Sequence, residues 1–203
     1  MTDNPTLQER KEAYLVRCEQ YRRLEYDPEI TARFVAGIAG PLTSPVLDVG
    51  SGKGSLSIAL ARLGVDVIGV DLDPEEQKLA ASLAEDAGVA HLIQFLQGDA
   101  AQVPFPDDHF TGASMLDALH HLDEEESVLT EMMRVVRTGG FLVLSDFSEP
   151  GFKVVEQIHR EEGGEHARTA ATVGSAEAYL VEQGCELVAR IEDFLHLVTV
   201  LRR

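Results

Sequence analysis

The run Asp48-Val49-Gly50-Ser51-Gly52-Lys53-Gly54 constrains this chain more than any other stretch. A short apolar run, Pro45-Val46-Leu47, precedes it, and an apolar helical pattern from Leu56 to Leu63 follows. A strand that ends in alternating glycines and opens a helix is the nucleotide-binding turn of an α/β sheet. Glycines let the backbone turn sharply there and approach a ligand with no Cβ in the way. Three patterns compete for these residues. A phosphate-gripping loop needs four residues between its first Gly and a Gly-Lys-Ser/Thr, but Gly52-Lys53 is followed by Gly54, so the register fails. A dinucleotide fingerprint, G-x-G-x-x-G/A, puts its third small residue at Ser55, a partial fit. The pattern D-x-G-x-G-x-G is met in full by Asp48, Gly50, Gly52 and Gly54.

Charge separates the last two. A pyrophosphate is anionic and prefers helix-N-terminal amides with no carboxylate close by. Asp48, two residues ahead of Gly50, would repel it. S-adenosylmethionine (SAM) carries no phosphate, and its sulfonium and amino groups are cationic, so a carboxylate suits it. A glycine-rich strand-to-helix turn without a ligand stays open as the plainer alternative.

The rest of the chain reads as a helical lead-in followed by strict alternation. Residues 5–26 contain no Gly and form a helix with Leu7, Tyr14, Cys18 and Tyr21 near one face. Asp27-Pro28 caps a second helix through Ile30, Phe34, Val35 and Ile38, which stops at Gly40-Pro41. Strand 46–49 then leads to helix 54–63, strand 65–70 to a helix from Pro74 to about Ala87, and strand 91–96 to strand 110–116. Helix 123–137 ends at Gly139-Gly140 and strand 141–145 follows. After helices near 150–162 and 175–183, segments 185–191 and 194–201 read as a hairpin turned at Glu192-Asp193. Strands alternating with helices imply βαβ units. The expected fold is α/β: a doubly wound, mostly parallel, seven-stranded Rossmann-like sheet with one antiparallel C-terminal strand and an N-terminal helical lead-in. A single domain over 1–203 is expected, with a helical cap (1–40), a cofactor-binding core (41–147) and acceptor-side helices plus hairpin (148–203).

Composition narrows the partners. The formal net charge of −18 opposes phosphate-rich nucleic acid, and Lys and Arg form no compensating cluster. No apolar run approaches the ~18–20 residues that cross a bilayer, and the start, Met1-Thr2-Asp3-Asn4-Pro5, is too polar for a secretory signal. A cytoplasmic protein that binds neither membrane nor nucleic acid is expected, as monomer or homodimer. Cys18 and Cys185 lie far apart in no metal-type spacing, so they read as free thiols.

In open α/β sheets ligands bind beyond the carboxyl ends of the strands. Those ends carry Gly50–Gly54, Asp71-Leu72-Asp73, Gly98-Asp99-Ala100, Asp117 to His121, and Asp146-Phe147. Asp71 follows Gly54 by seventeen residues, near the ~20 expected of an acid that grips ribose hydroxyls. A carboxylate accepts from both cis-hydroxyls at once. Asp73, just ahead of Pro74, reads instead as a helix cap.

From Val46 to Asp146 the chain resembles the class I SAM-dependent methyltransferases. Val46–Gly54 resembles their first motif, Val67-Ile68-Gly69-Val70-Asp71 their second-strand acid, and Gln97-Gly98-Asp99-Ala100 with Val103-Pro104-Phe105 their adenine-side motif. Phe110–Leu122 resembles the fourth strand and its His-containing turn; Glu131 and Arg134–Gly140 resemble a segment common in the small-molecule branch, which includes quinone-biosynthesis enzymes. The resemblance implies that Gly50 and Gly52, with Asp48, Ser51 and Gly54 around them, hold the methionine part of SAM. It further implies that Asp71 binds ribose, Leu72 packs on adenine, Asp99 and Ala100 meet the adenine amine, and the backbone at Leu116, beside Asp117, meets the amino group.

Such a chain would transfer a methyl group to O, N or C of a small molecule by in-line displacement. Candidate bases are His120 and His121, since imidazole titrates near neutrality. Tyr14, Tyr21, Asp146, His159 and His166 are candidate acceptor-side residues, with Tyr26 and Tyr179 in the same segments. Asp117 and Asp146 follow neighbouring strands, but Phe147 stands where the metal-using catechol branch has Asn, and no metal is expected. Two alternatives stay open: a SAM-binding protein without methyl transfer, and an NAD-dependent dehydrogenase.

Overall fold

The computed structural model describes residues 5–39 and 42–203; the helix stop read at Gly40-Pro41 lies outside them. Two helices lead in. The first, α1 (Leu7–Arg23), starts at a capping box in which Thr6 Oγ accepts from Glu9 N–H and Glu9 accepts from Thr6 N–H. The second, α2 (Pro28–Ile38), is capped by Asp27, whose carboxylate accepts from the Glu29 and Ile30 amides. Leu7 does not join the apolar face expected of α1; it is exposed, and Cys18 is the buried residue of that helix.

The alternating part contains β1 (Val46–Val49), α3 (Ser55–Ala61), β2 (Val67–Asp71), α4 (Pro74–Asp86), β3 (Ile93–Gln97), β4 (Phe110–Leu116), α5 (Glu125–Val135) and β5 (Val136–Phe147). The chain closes with α6 (Glu149–Glu161), α7 (Val173–Glu182), β6 (Glu186–Asp193) and β7 (His196–Arg202). Among the described residues these strands form one seven-stranded sheet in the order β3-β2-β1-β4-β5-β7-β6. β1 pairs in parallel with β2 and β4, and β5 with β4, while β7 runs antiparallel between β5 and β6. The order reverses beside β1, at the switch point where open α/β sheets bind ligands.

Side-chain alternation sends each strand's apolar residues to two faces. Leu47, Val49, Leu142, Leu144 and Leu201 pack on one face with Leu129 and Met132 of α5 and Leu180 of α7. Val46, Val143, Val198 and Val200 pack on the other with Val35 of α2 and Leu60 of α3. Every residue of β1 is buried. Each such aliphatic side chain contributes about 1.5–3 kcal/mol of transfer free energy, which is why the central strands are rich in aliphatic residues.

Two local readings are corrected. Gly139-Gly140 do not end a helix: α5 stops at Val135, and both glycines lie inside β5. Pairing shifts register between Phe110 and Gly112 at this point, and a Cβ on Gly140 would fall 2.6 Å from the Thr111 carbonyl oxygen. Close backbone approach at a bulge requires that glycine. The hairpin turns at Phe194-Leu195, not Glu192-Asp193; Asp193 pairs with His196, and both turn residues have positive φ.

Candidate functional site

The glycine-rich turn, Gly50 to Gly54, joins β1 to α3 at the switch point. A cleft there is lined by Asp48, Gly50, Ser51, Gly52, Lys53, Ser55, Leu56, Leu116 and Asp117. Three features fix the turn. Asp71 Oδ2 at the end of β2 accepts from Gly52 N–H at 2.8 Å. Ser51 Oγ accepts from Gln77 Nε2 of α4 at 2.9 Å. Gly50 has φ +64°, and a Cβ there would fall 2.5 Å from the Ala118 Cβ, so the turn lies directly against the segment after β4.

Asp48 is 1 % exposed. Its carboxylate accepts from Ser57 Oγ at 2.6 Å and Ser114 Oγ at 3.3 Å. Burial pushes its pKa up to about 6, against the pull of those hydroxyls. The acid therefore sits at the floor of the cleft. Asp71 uses Oδ1 for the Asp73 amide at 2.9 Å as well; each oxygen keeps a second lone pair for a ligand. Asp73 caps α4 through the Glu75 and Glu76 amides, as expected. Leu72 is 69 % exposed beside Asp71. Asp99 Oδ1 accepts from Ala101 N–H at 2.8 Å, which shapes the turn holding Ala100.

Asp117 has φ +57°, a conformation that is uncommon without glycine. Its Oδ1 accepts from His196 Nε2 at 2.7 Å and its Oδ2 from the Tyr26 hydroxyl at 3.3 Å. Tyr26 stacks on the His196 ring and meets Tyr21 and Phe147 edge-on. Neither His196 nor Tyr26 was singled out at this carboxylate, because the pairing joins residues far apart in sequence. Lys53, Ser55 and Leu56, also missed as site residues, line the cleft because they continue the turn into α3. Tyr14 is placed beside it, its hydroxyl 3.4 Å from Ser55 Oγ.

Beyond β4 a 3-10 turn, Leu119–His121, brings both adjacent histidines to the carboxyl edge of the sheet. Asp146 at the end of β5 is buried and accepts from His120 N–H at 3.0 Å, His120 Nδ1 at 2.7 Å and Phe147 N–H at 2.8 Å. It therefore orients His120. The same contacts, with those at Asp117, leave these two acids serving histidines. His166 lies tilted against His120 and edge-on to His121, and His159 lies against His166. Tyr179 turns away to α5, its hydroxyl 2.6 Å from Thr130 Oγ1.

An open sheet with acids at its strand ends, facing a glycine turn at the switch point, is the architecture on which nucleoside cofactors bind. Residues 47–144 match the family model described as methyltransferase domain. Over 117 residues the chain is 32 % identical to the ubiquinone/menaquinone biosynthesis C-methyltransferase UbiE of Ectopseudomonas mendocina, covering 56 % of this chain and 46 % of that protein. The chain thus spans about half the length of the curated relatives it matches. Among solved structures, the YcgJ protein of Bacillus subtilis superposes with a TM-score of 0.61 at 26 % identity over 78 % of this chain and 70 % of that one. A SAM-dependent methyltransferase from Aquifex aeolicus shares the fold with a TM-score of 0.63 at 19 % identity, over 87 % and 89 % of the two chains. Nearly half of the chain thus matches a methyltransferase domain, on a fold shared with a SAM-dependent methyltransferase. Among the described residues no helix is long and apolar enough to cross a membrane.

Proposed function

We propose that this chain binds SAM in the cleft at the switch point and transfers its methyl group to a small-molecule acceptor by in-line displacement. The observation that carries the reading is the Asp71–Gly52 hydrogen bond of 2.8 Å, which holds a glycine turn open over the buried carboxylate of Asp48. The donor set suits a cation. Carboxylates of Asp48 and of Asp117, the latter shared with His196, line the cleft, and Lys53, the ammonium there, is paired with Glu76 at 3.1 Å. A Cβ at Gly50 would fall 2.5 Å from the Ala118 Cβ, so glycine lets the turn lie against the segment after β4.

In this reading the Gly50–Gly52 backbone binds the methionine part, with Ser51 and Gly54 shaping the turn. Asp71 accepts from the ribose hydroxyls. Leu72 covers one adenine face, and Asp99 with Ala100 meets the adenine amine. The Leu116 carbonyl and the Asp117 edge face the amino group. When bound, SAM supplies a methyl group on a sulfonium whose departure leaves a neutral thioether. The chain's own contribution is placement: holding reactants at attack distance supplies about 7–11 kcal/mol of the barrier. The described chain works as one unit, the core over 41–147 holding the cofactor, the helical cap and residues 148–203 bordering the acceptor. The relative's C-methylation in quinone biosynthesis supports including carbon acceptors such as phenols and naphthols in the search.

Calorimetry tests the cofactor, and methyl-labelled SAM with a panel of O-, N- and C-acceptors tests the transfer. Heat from SAM and its demethylated thioether, with none from NADH, is the expected result. NADH binding without SAM binding would establish the dehydrogenase alternative instead. Tight SAM binding with no labelled product over the whole panel would favour a binding protein.

A further inference from the structure

The segment after β4 contains more histidine chemistry than placing a methyl acceptor requires. His120 is 2 % exposed. Its Nδ1 is held by Asp146, and its Nε2 is buried with no hydrogen-bond partner among the described residues. His166 Nε2 is buried and unpartnered in the same way, while its Nδ1 lies 3.3 Å from His159 Nδ1. Buried polar atoms left unpaired in a folded protein call for an explanation, and a bound ion is one. The ring centroids of His120 and His121 are 4.0 Å apart, and those of His120 and His166 4.9 Å. One ligand nitrogen from each of the three histidines lies within 4.8 Å of the other two.

We propose that His120, His121 and His166 together hold one divalent transition-metal ion, with Asp146 fixing the His120 ring from behind. Imidazole nitrogens bind Zn²⁺ at about 2.0–2.1 Å, so three of them around one tetrahedral ion stand about 3.4 Å apart. Closing from the observed spacing takes small ring rotations of His121 and His166, which are not locked in the core as His120 is. The Asp146–His120 pair is the carboxylate–histidine arrangement that sets the tautomer of a metal ligand: Nδ1 donates to the acid and Nε2 keeps its lone pair for the ion. Asp146 is itself positioned by the His120 and Phe147 amides. Arg168, the cation near this cluster, is drawn off over the Phe152 ring at 4.1 Å and toward Glu149 and Glu156. Three protein ligands leave a fourth position open, as in metal sites that bind water or substrate. His159 stands behind His166 as a second supporting ring. Imidazole-only ligation selects zinc, nickel, cobalt or copper over magnesium and calcium.

Untagged protein, stripped with chelator, is titrated with Zn²⁺ by calorimetry and with Co²⁺ by visible absorption. The expected result is one equivalent bound, with the d–d bands of a low-coordinate nitrogen site. His166→Ala and His121→Ala are each expected to weaken binding at least about tenfold with the fold intact, and Asp146→Asn about 10–100-fold. His91→Ala, at a histidine outside the cluster, is expected to bind as the parent does. Absence of stoichiometric binding, binding by His166→Ala and His121→Ala as tight as the parent's, or a comparable loss in His91→Ala would each overturn the proposal. The same preparation is titrated with SAM. Heat from SAM without heat from Zn²⁺ overturns the metal site alone, and Zn²⁺ binding without SAM binding supports it while removing the methyl-transfer reading.

Discussion

His196 donates through Nε2 to Asp117 Oδ1 at 2.7 Å, while its Nδ1 faces the Phe194 carbonyl at 2.9 Å. Both ring nitrogens thus meet acceptors, and only the doubly protonated imidazolium satisfies both. Burial alone would pull this imidazole down, but the Asp117 carboxylate, its hydrogen bond and the Phe194 carbonyl outweigh it, so the pKa is raised above 6.5. The pair ties the start of β7 to the positive-φ residue at the end of β4, against the cleft.

A pH dependence of stability follows. The folded pKa of His196 lies above the unfolded value, so its stabilisation is complete below about pH 6.5 and is lost as pH rises through the folded pKa. Asp117→Asn is expected to cost about 2 kcal/mol at pH 6, as for a lost hydrogen bond to a charged group, and less at pH 9. Urea denaturation of both proteins at the two pH values reads this directly. An identical gap at pH 6 and pH 9 would show that the imidazole is neutral in both.

Asp48 gives the opposite sign. Its pKa is raised to about 6 by burial, so the folded state holds a proton that the unfolded chain has released. Stability contributed at this site therefore falls as pH rises from about 4 to about 6 and stays lowered above that. The loss is on the order of 2–3 kcal/mol, at 1.36 kcal/mol per unit. Asp48→Asn is expected to be at least as stable as the parent at pH 7.5, yet to bind SAM about tenfold more weakly for want of the floor charge. A variant that unfolds more easily at pH 7.5, or one that binds SAM normally, contradicts this account.

The stretches legible in the sequence are those whose chemistry is local. Asp73 before Pro74 announces a cap because the carboxylate reaches amides two and three residues on. Val46–Gly54 announces a strand and turn because burial on both faces forces an apolar run and the turn forces glycine. The hairpin turn was not legible in that way. Phe194 and Leu195 take positive φ with no glycine or asparagine to mark it. Tertiary contacts impose it: Phe34 packs on Phe194 at 4.9 Å, and Ser148 donates twice to the Leu195 carbonyl. Gly139-Gly140 misled for the converse reason, since a glycine pair marks a helix stop or a bulge equally well. The histidine cluster was legible only in part: His120-His121 stands out, but nothing local brings His166 beside it.

Gly50 offers a steric test of the turn. Gly50→Ala must adopt φ +64° and place its methyl 2.5 Å from the Ala118 Cβ. The left-handed backbone costs about 1–2 kcal/mol, and the overlap adds about 1–3 kcal/mol. Adding Ala118→Gly removes the overlap and leaves the backbone term. The double variant is therefore expected to recover part of the lost stability in thermal melts, up to the about 1–3 kcal/mol of the overlap. No recovery would mean that the turn and the segment after β4 are not in contact.

The helix α1 is held over the core by charge more than by apolar burial, and salt should loosen it selectively. Arg17 pairs with Glu162 of α6 at 2.7 Å, Arg10 meets Glu76 of α4 at 3.4 Å, and Lys11 reaches Asp86. Cys18 is the one buried residue of this helix among those described. Exposed pairs contribute about 0.2–1 kcal/mol each and are screened by salt, with a Debye length of about 10 Å at 0.1 M and 3 Å at 1 M. Moving from low salt to 1 M should thus remove about 1 kcal/mol in total, roughly a fivefold rise in opening. Amide exchange in residues 7–23 is expected to accelerate by about that factor while β1, β4 and β5 stay unchanged. Glu162→Gln should produce part of the same effect at low salt and little further change at high salt, because the charge it removes is already screened there. Exchange in α1 that ignored salt would assign its attachment to the Tyr21 ring against Tyr26 and the Tyr14 hydroxyl at Ser55 instead.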